Sequence, residues 1–217
     1  EISCSLVGSE MCIRDSYYTL MLKPDFSSDC APMLTLVMAL AVAKGIRQTL
    51  RRDSEEAAAK VGIKWPNDIV VDGKKVCGIL TEMSMEQGYI QHIVIGVGIN
   101  VRKQEFPEEI RDRAAAIDEQ CGFRISRSQL IADIMEAFEE DYEIFLRTHD
   151  LKGLRASYAE LLVNQDREVC VLDPKGEYRG IARGINDQGE LLVERQDGTV
   201  EEVYAGEVSV RGIYGYV

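Results

Sequence analysis

Lys64-Trp65-Pro66-Asn67-Asp68-Ile69-Val70-Val71-Asp72-Gly73-Lys74-Lys75-Val76-Cys77-Gly78-Ile79-Leu80-Thr81-Glu82 is the stretch that decides how this chain folds. Pro66 presets φ, and Asn67 and Asp68 can bond their own backbone, so the segment opens with an ordered turn. Ile69-Val70-Val71, then Asp72-Gly73, then Val76 to Leu80 reads as a β-hairpin with a glycine-containing loop. Lys64 and Lys75 then fall near the ends of two adjacent strands, a geometry suited to gripping a phosphate or carboxylate from both sides. Spacing alone leaves the plainer reading open, because lysines beside an Asp-Gly hairpin are commonly solvated.

Downstream, Gln87-Gly88 is a second turn signal, so Tyr89 to Val101 should pair with the strand from Val76 to Ser84. The near-continuous run Ile93, Val94, Ile95, Val97 marks a strand covered on both faces. Upstream, Pro32 fits the first turn of a helix with Asp29 as its cap. Met33, Leu36, Val37, Leu40 and Ala41 follow helical spacing, and Leu34, Met38, Val42 and Ile46 widen the apolar surface, which predicts a helix over 31–52 buried against a sheet. Further helices are expected over Glu55 to Lys60, Glu108 to Ala116 (exposed) and Leu154 to Leu162. Another should follow a capping box at Ser126-Arg127-Ser128-Gln129 and bury Leu130, Ile134, Phe138, Tyr142 and Phe145. From about Asp166 the rhythm changes to short strands, Glu168 to Leu172, Tyr178 to Ile185, Leu191 to Glu194, Thr199 to Val203 and Glu207 to Arg211, with regular turns between them. That pattern predicts a small barrel.

At 217 residues the chain can bury a core as one domain plus a small module. Its net charge of −12 disfavours binding to a phosphate backbone, so this segment is not expected to hold nucleic acid. Cys4, Cys12, Cys30, Cys77, Cys121 and Cys170 contain no Cys-x-x-Cys pair, and only His92 and His149 could assist them, so neither a metal cluster nor a disulfide framework is indicated. The longest apolar run, Ala31 to Ala43, is too short to span a bilayer, and a cytoplasmic protein off the membrane is expected. Gly96-x-Gly98 lacks the third glycine of a dinucleotide fingerprint, since position 101 is Val. These glycines read instead as places of close backbone or ligand approach, with the Asn100 carboxamide at the strand end.

Lys64-Trp65-Pro66-Asn67-Asp68, then Gly73 to Glu82, then Gly96-Val97-Gly98-Ile99-Asn100 resemble, in order and spacing, the central signature of biotin protein ligases. The resemblance runs from Tyr17 to the C-terminus. It implies an α+β fold: a mixed β-sheet with packed helices, of the class II synthetase and biotin ligase kind, over 17–164, and an SH3-like β-barrel over 165–217. It further implies joining of biotin to ATP as biotinyl-5′-adenylate, with Mg2+, followed by transfer to one lysine of a biotin carboxyl carrier domain. Carried over by position, Lys75 contacts the biotin carboxylate and the phosphate, and Lys64 adds charge on the phosphate side. Asn67 and Asp68 orient phosphate, metal-bound water or the incoming lysine, with Asp68 able to take its proton. Gly78 lets the backbone approach biotin, and Asn100 faces the adenylate. Glu207 and Arg211 match a nucleotide-linked pattern in the terminal barrel, for which structural and functional readings stay level; Lys74 reads as a solvated neighbour of Lys75. Relatives pair through the central sheet, which leaves a homodimer open.

The chain departs from the family at its start. A Gly- and Arg-rich loop, which in the family closes over the adenylate, is expected ahead of Tyr17 and is not found. Residues 1–16 read instead as non-native sequence of the kind left by adapter read-through, so this chain is expected to be an impaired, N-terminally truncated ligase. Three alternatives remain: a bifunctional ligase and repressor whose DNA-binding part lies elsewhere, a lipoate-type ligase, and a non-catalytic carrier-binding fragment.

Overall fold

The Asp72-Gly73 turn forms, with both residues at positive φ (51° and 75°), as a two-residue hairpin loop requires. In the computed structural model, which describes residues 2–6, 15–173, 176–204 and 209–212 (the first and last as backbone only), that hairpin belongs to an antiparallel sheet. The sheet's strands are β1 (Ile2–Leu6), β2 (Ser16–Leu22), β3 (Val61–Lys64), β4 (Asp68–Val71), β5 (Lys74–Glu86) and β6 (Tyr89–Ile99). They lie in the order β1-β2-β6-β5-β4-β3. Within the stretch 1–16, Ile2–Leu6 therefore pairs with β2, and Asp15 and Ser16 are buried.

One face of this sheet is sealed by α1 (Met33–Arg51), whose Leu34, Val37, Met38, Ala41 and Val42 are wholly buried. Tyr18 of β2 donates its hydroxyl to Met38 Sδ at 3.7 Å, and Thr35 donates to Thr81 of β5 at 2.9 Å. By length and composition Ser28–Arg51 is a helix that could cross a membrane, which the apolar run alone did not suggest, yet its apolar surface is covered by the protein itself. Asp29 does not cap it. It sits in a 3-10 turn, Ser28–Cys30, and Pro32 occupies the cap position with no side-chain bond.

A short helix, α2 (Glu55–Ala59), follows, capped by Ser54. The expected helix at Glu108 to Ala116 does not form; residues 108–113 are turns, and 114–116 run alongside the ends of β5 and β6. Beyond α3 (Ile117–Cys121) comes α4 (Arg127–Thr148), which packs on α1. The helices approach so closely at Gly45 that a Cβ there would lie 2.5 Å from Ile134 Cγ1. Half of the predicted capping box is realised: Ser126 Oγ accepts from the Gln129 amide, but the Gln129 side chain turns to Asp133.

Two buried carboxylates on α4 face α1 with opposite electrostatic fates. Burial alone would raise the Asp133 carboxyl, but bonds from Arg52, Thr49 and Gln129 outweigh it and hold the group below the usual carboxylate range. For Asp141, burial prevails over the single Lys44 partner at 2.5 Å and pushes the carboxyl up. Asp133 thus contributes stability above its unfolded value and loses it as pH falls through its lowered folded value. Asp141 carries a penalty at neutral pH that is relieved as pH falls through its raised folded value. Asp133→Asn is expected to lose about 2–3 kcal/mol at pH 7, shrinking in acid. Asp141→Asn is expected to cost nothing or to stabilise at pH 7, with its advantage fading in acid. Urea unfolding from pH 3 to 7 checks both, and parallel pH profiles for the two variants would refute the assignment.

The chain continues through α5 (Arg155–Leu161) into a second antiparallel sheet: β7 (Glu168–Leu172), β8 (Tyr178–Ile185), β9 (Leu191–Glu194), β10 (Val200–Val203) and β11 (Ser209–Gly212). Its order is β10-β9-β8-β7-β11, the small all-β unit expected from the turn rhythm and, from the family resemblance, SH3-like.

Candidate functional site

Five strands place one residue each in a single row across the first sheet. Tyr17 of β2 pairs with Gly98 of β6, Gly98 with Gly78 of β5, Gly78 with Asp68 of β4, and Asp68 with Lys64 of β3. Paired residues in an antiparallel sheet project to the same side. The row therefore lies on the face opposite α1, since its neighbours Tyr18, Val97 and Ile79 are the buried ones. At its centre are two glycines, and Gly96 continues the side-chain-free strip. A Cβ at Gly98 would lie 2.8 Å from the Tyr17 ring, and one at Gly78 would lie 3.2 Å from Lys75 Nζ. The strip is thus a bare backbone floor with an aromatic ring at one end and an ion-pair cluster at the other.

Lys64 and Lys75 lie on strands that flank β4 rather than on adjacent strands, and the anion between them is Asp68. Lys75 Nζ is 2.5 Å from Asp68 Oδ1, and Lys64 Nζ is 3.9 Å from Oδ2. The Lys64 side chain is 10% exposed and that of Asp68 12%, whereas Lys75 is 37% exposed. Lys75 is accordingly the cation that can turn toward a ligand. The grip foreseen from the hairpin exists and is occupied by the protein's own carboxylate.

Asn67 and Asn100 are placed beside this cluster as braces. Asn67 Nδ2 donates to the Ile79 carbonyl at 2.9 Å, and Asn100 Nδ2 to that of Ala115 at 3.3 Å. The segment 113–117, which leads into α3, grips the same strand ends: the Lys75 amide donates to Arg113 O, the Ala115 amide to Lys75 O, and the Ile117 amide to Asn100 O. Cys77 is buried beneath the site, where burial first and Asp68 second push its thiol far up against the pull of Lys75. It stays protonated and is no nucleophile. Lys74, next to Lys75, has no described ion pair.

Of the expected nucleotide-linked pair in the second sheet, Glu207 lies outside the described residues. Arg211 lies on β11 opposite Cys170, described as backbone only. Sequence reasoning missed Tyr17 as a wall of the site; its place two residues inside a strand that pairs with Gly96-x-Gly98 was the available signal. It also missed the Trp65 partner. The indole N–H donates 3.0 Å to Gly189 O in the second sheet, after a cis Trp65-Pro66 bond that the sequence did not announce.

Comparison with known proteins follows the same map. Residues 11–100 match the Biotin/lipoate A/B protein ligase family, and residues 166–211 match the Biotin protein ligase C terminal domain. The Bifunctional ligase/repressor BirA of Bacillus subtilis is 34% identical over 196 residues, covering 89% of this chain and 58% of that protein. The Biotin--[acetyl-CoA-carboxylase] ligase of Paracoccus denitrificans is 26% identical, covering 87% and 79%. Among solved structures, the biotin protein ligase of Aquifex aeolicus in complex with biotin and ATP superposes with a TM-score of 0.74 at 26% identity, over 92% of this chain and 79% of that one. The chain spans just over half the length of the ligase/repressor relatives it matches.

Proposed function

From the premise that this chain belongs to the biotin protein ligase family, we propose that it carries out ATP-dependent ligation of biotin to a lysine of a biotin carboxyl carrier domain of the acetyl-CoA carboxylase type. The observation that carries the reading is the glycine strip ending at the Lys75–Asp68–Lys64 cluster. An apolar acid laid on the strip brings its carboxylate to two ammonium groups.

The first step joins two anions. A biotin carboxylate oxygen attacks the α-phosphorus of ATP, pyrophosphate leaves, and biotinyl-5′-AMP remains. Fixed cations at the point where charge accumulates are what such a step requires. Lys75 swings from Asp68 to bridge the carboxylate and phosphate, and Lys64, held within the sheet, supplies the second charge. In the second step the carrier lysine's amine attacks the acyl carbon, AMP leaves, and the nitrogen gives up a proton. Asp68, released from Lys75, accepts it. Asn67 and Asn100 keep the strand ends in place and present their remaining carboxamide oxygens to the adenylate side. Gly78 keeps the floor clear for biotin, and Glu207 and Arg211 contribute to nucleotide binding.

Mg2+ belongs to this scheme as part of the substrate. Among the described residues no group of three acidic, His or Cys side chains could hold a metal ion, and Asp68 is engaged by lysines. The ion arrives on the ATP phosphates, which supply oxygen ligands. The second-sheet match favours biotin over lipoate, and titration calorimetry with both acids checks it: tighter binding of lipoate would overturn the choice. A cytoplasmic enzyme with no nucleic-acid contact by this segment completes the reading, and light scattering decides between monomer and sheet-to-sheet homodimer.

The deciding experiment is ATP-dependent biotin transfer to a carrier domain, read by streptavidin blot. It uses this chain and the same chain preceded by a family-like Gly- and Arg-rich segment. ATP-dependent labelling in either form is expected. Carrier binding with no labelling in both would replace the enzyme by a carrier-binding module.

A further inference from the structure

Trp65 is the only tryptophan of the chain and is 1% exposed. A buried indole N–H needs an acceptor. The acceptor here comes from 124 residues away: the Gly189 carbonyl, in the turn between β8 and β9 of the second sheet. That turn is itself tightly held. Asn186 Oδ1 accepts from the amides of Gln188 and Glu190, both at 3.0 Å. The Asp187 carbonyl accepts from the Leu151 amide at 2.8 Å, and its carboxylate pairs with Arg155 at 2.7 Å. Gly189 has φ +82°, and a Cβ there would lie 2.9 Å from Leu151 Cδ1 and 3.0 Å from Leu36 Cδ2 of α1. The turn is wedged against the first sheet's helices with no free space at its tip.

We propose that this turn, through the Gly189 carbonyl, is a positioning element for the Lys64–Asp68 segment, so that the second sheet sets where the two lysines meet their anion. Trp65 follows Lys64 directly and stands three residues before Asp68. β3 ends at Lys64 and β4 begins at Asp68, and the bend between them is held by the indole and by the Asn67–Ile79 bonds. A shift of the indole translates into a shift of Lys64 Nζ and the Asp68 carboxylate. Misplacement of a charged group by about 1 Å is enough to cost on the order of a hundredfold in rate. Its kinetic consequence rests on the ligase reading; its structural consequence does not.

Gly198 supplies a matched control. It has the same φ of +82°, in the turn between β9 and β10, and a Cβ there would meet nothing within 4 Å. Gly189→Ala and Gly198→Ala therefore each place a side chain at the same left-handed φ in two turns of one sheet, and only Gly189 bonds Trp65. Two readouts are taken on the full chain. One is Lys64 modification by trinitrobenzenesulfonate, resolved by peptide mass. The other is biotin-dependent pyrophosphate release, separated into kcat and KM. Gly189→Ala is expected to raise Lys64 labelling severalfold and lower kcat by about tenfold or more, with KM for biotin and ATP changed less than about twofold. Gly198→Ala should match the parent in both. Equal behaviour of the two variants overturns the proposal, as does a rise in labelling with unchanged kcat in an active enzyme. Should Gly189→Ala not fold, Trp65→Phe removes the N–H and keeps the ring; an unchanged kcat there overturns the proposal equally. If the parent releases no pyrophosphate, the ligase reading fails on its own, and the labelling comparison still decides whether the turn positions Lys64.

Discussion

Replacing Lys75 with alanine is expected to lower biotin-dependent pyrophosphate release on the order of a hundred- to a thousandfold, with the protein still folded. Lys75 is the more exposed of the two lysines and the one in closest contact with Asp68, so it alone can exchange the internal carboxylate for an external one. Its aliphatic stem lies over Gly78, with Cε and Nζ both 3.2 Å from where a Cβ would stand. This packing makes charge alone insufficient. Lys75→Arg keeps the charge but must fit a planar guanidinium over the same strip, where its bulk covers floor that biotin needs. It should therefore recover less than a tenth of the parent rate. A pyrophosphate assay at saturating biotin and Mg-ATP checks both variants. A loss under tenfold for Lys75→Ala would move the reacting anions away from this cluster.

Asp68→Ala should act on the fold as well as on the reaction, costing about 3 kcal/mol in urea unfolding at pH 7. Removing the carboxylate takes from Lys64 the anion beside its ammonium, in a place where water reaches it little. The cost is set at the lower end of the range for a broken buried pair because that contact is long, 3.9 Å, and because Lys75 can turn to solvent. Charge imbalance, not lost packing, is the cause, so Lys64→Met in the Asp68→Ala background should recover most of the stability. If the double variant is as unstable as the single one, the carboxylate serves the turn instead of balancing the lysines.

The hairpin, the long helices and the strand rhythm of the second sheet were legible because each is written in local spacing. Asp72-Gly73 demands positive φ, and Leu130, Ile134, Phe138 and Phe145 share one helical face. What was not legible is what distant segments do to one another. Residues 108–116 have helix-forming composition, yet 114–116 are held out of a helix by hydrogen bonds around Lys75 and Asn100, and tertiary pairing outweighs local propensity. The two lysines and Asp68 could each be named from the sequence, but not that β4 runs between them and delivers Asp68 as the resident anion. Asn67 and Asn100 looked like ligand contacts because a carboxamide at a strand end is compatible with either use. Their donors hold backbone carbonyls, a bracing use the sequence did not show. Trp65 and Gly189 are separated by too many residues for any pattern to join them.

The connector into the second sheet has a consequence for solubility. Ile63 of β3 bridges Leu162 in parallel, its carbonyl accepts the Val163 amide at 2.9 Å, and Gly62 lets Val163 close in. The outermost strand of the first sheet is thus roofed by the chain that leaves it. Cleavage that carried away 161–165 would bare a short strand, buried along its whole length, whose backbone groups invite pairing with another molecule. The connector is therefore also a guard against self-association, and a protease cut there would turn a single molecule into a seed for aggregates.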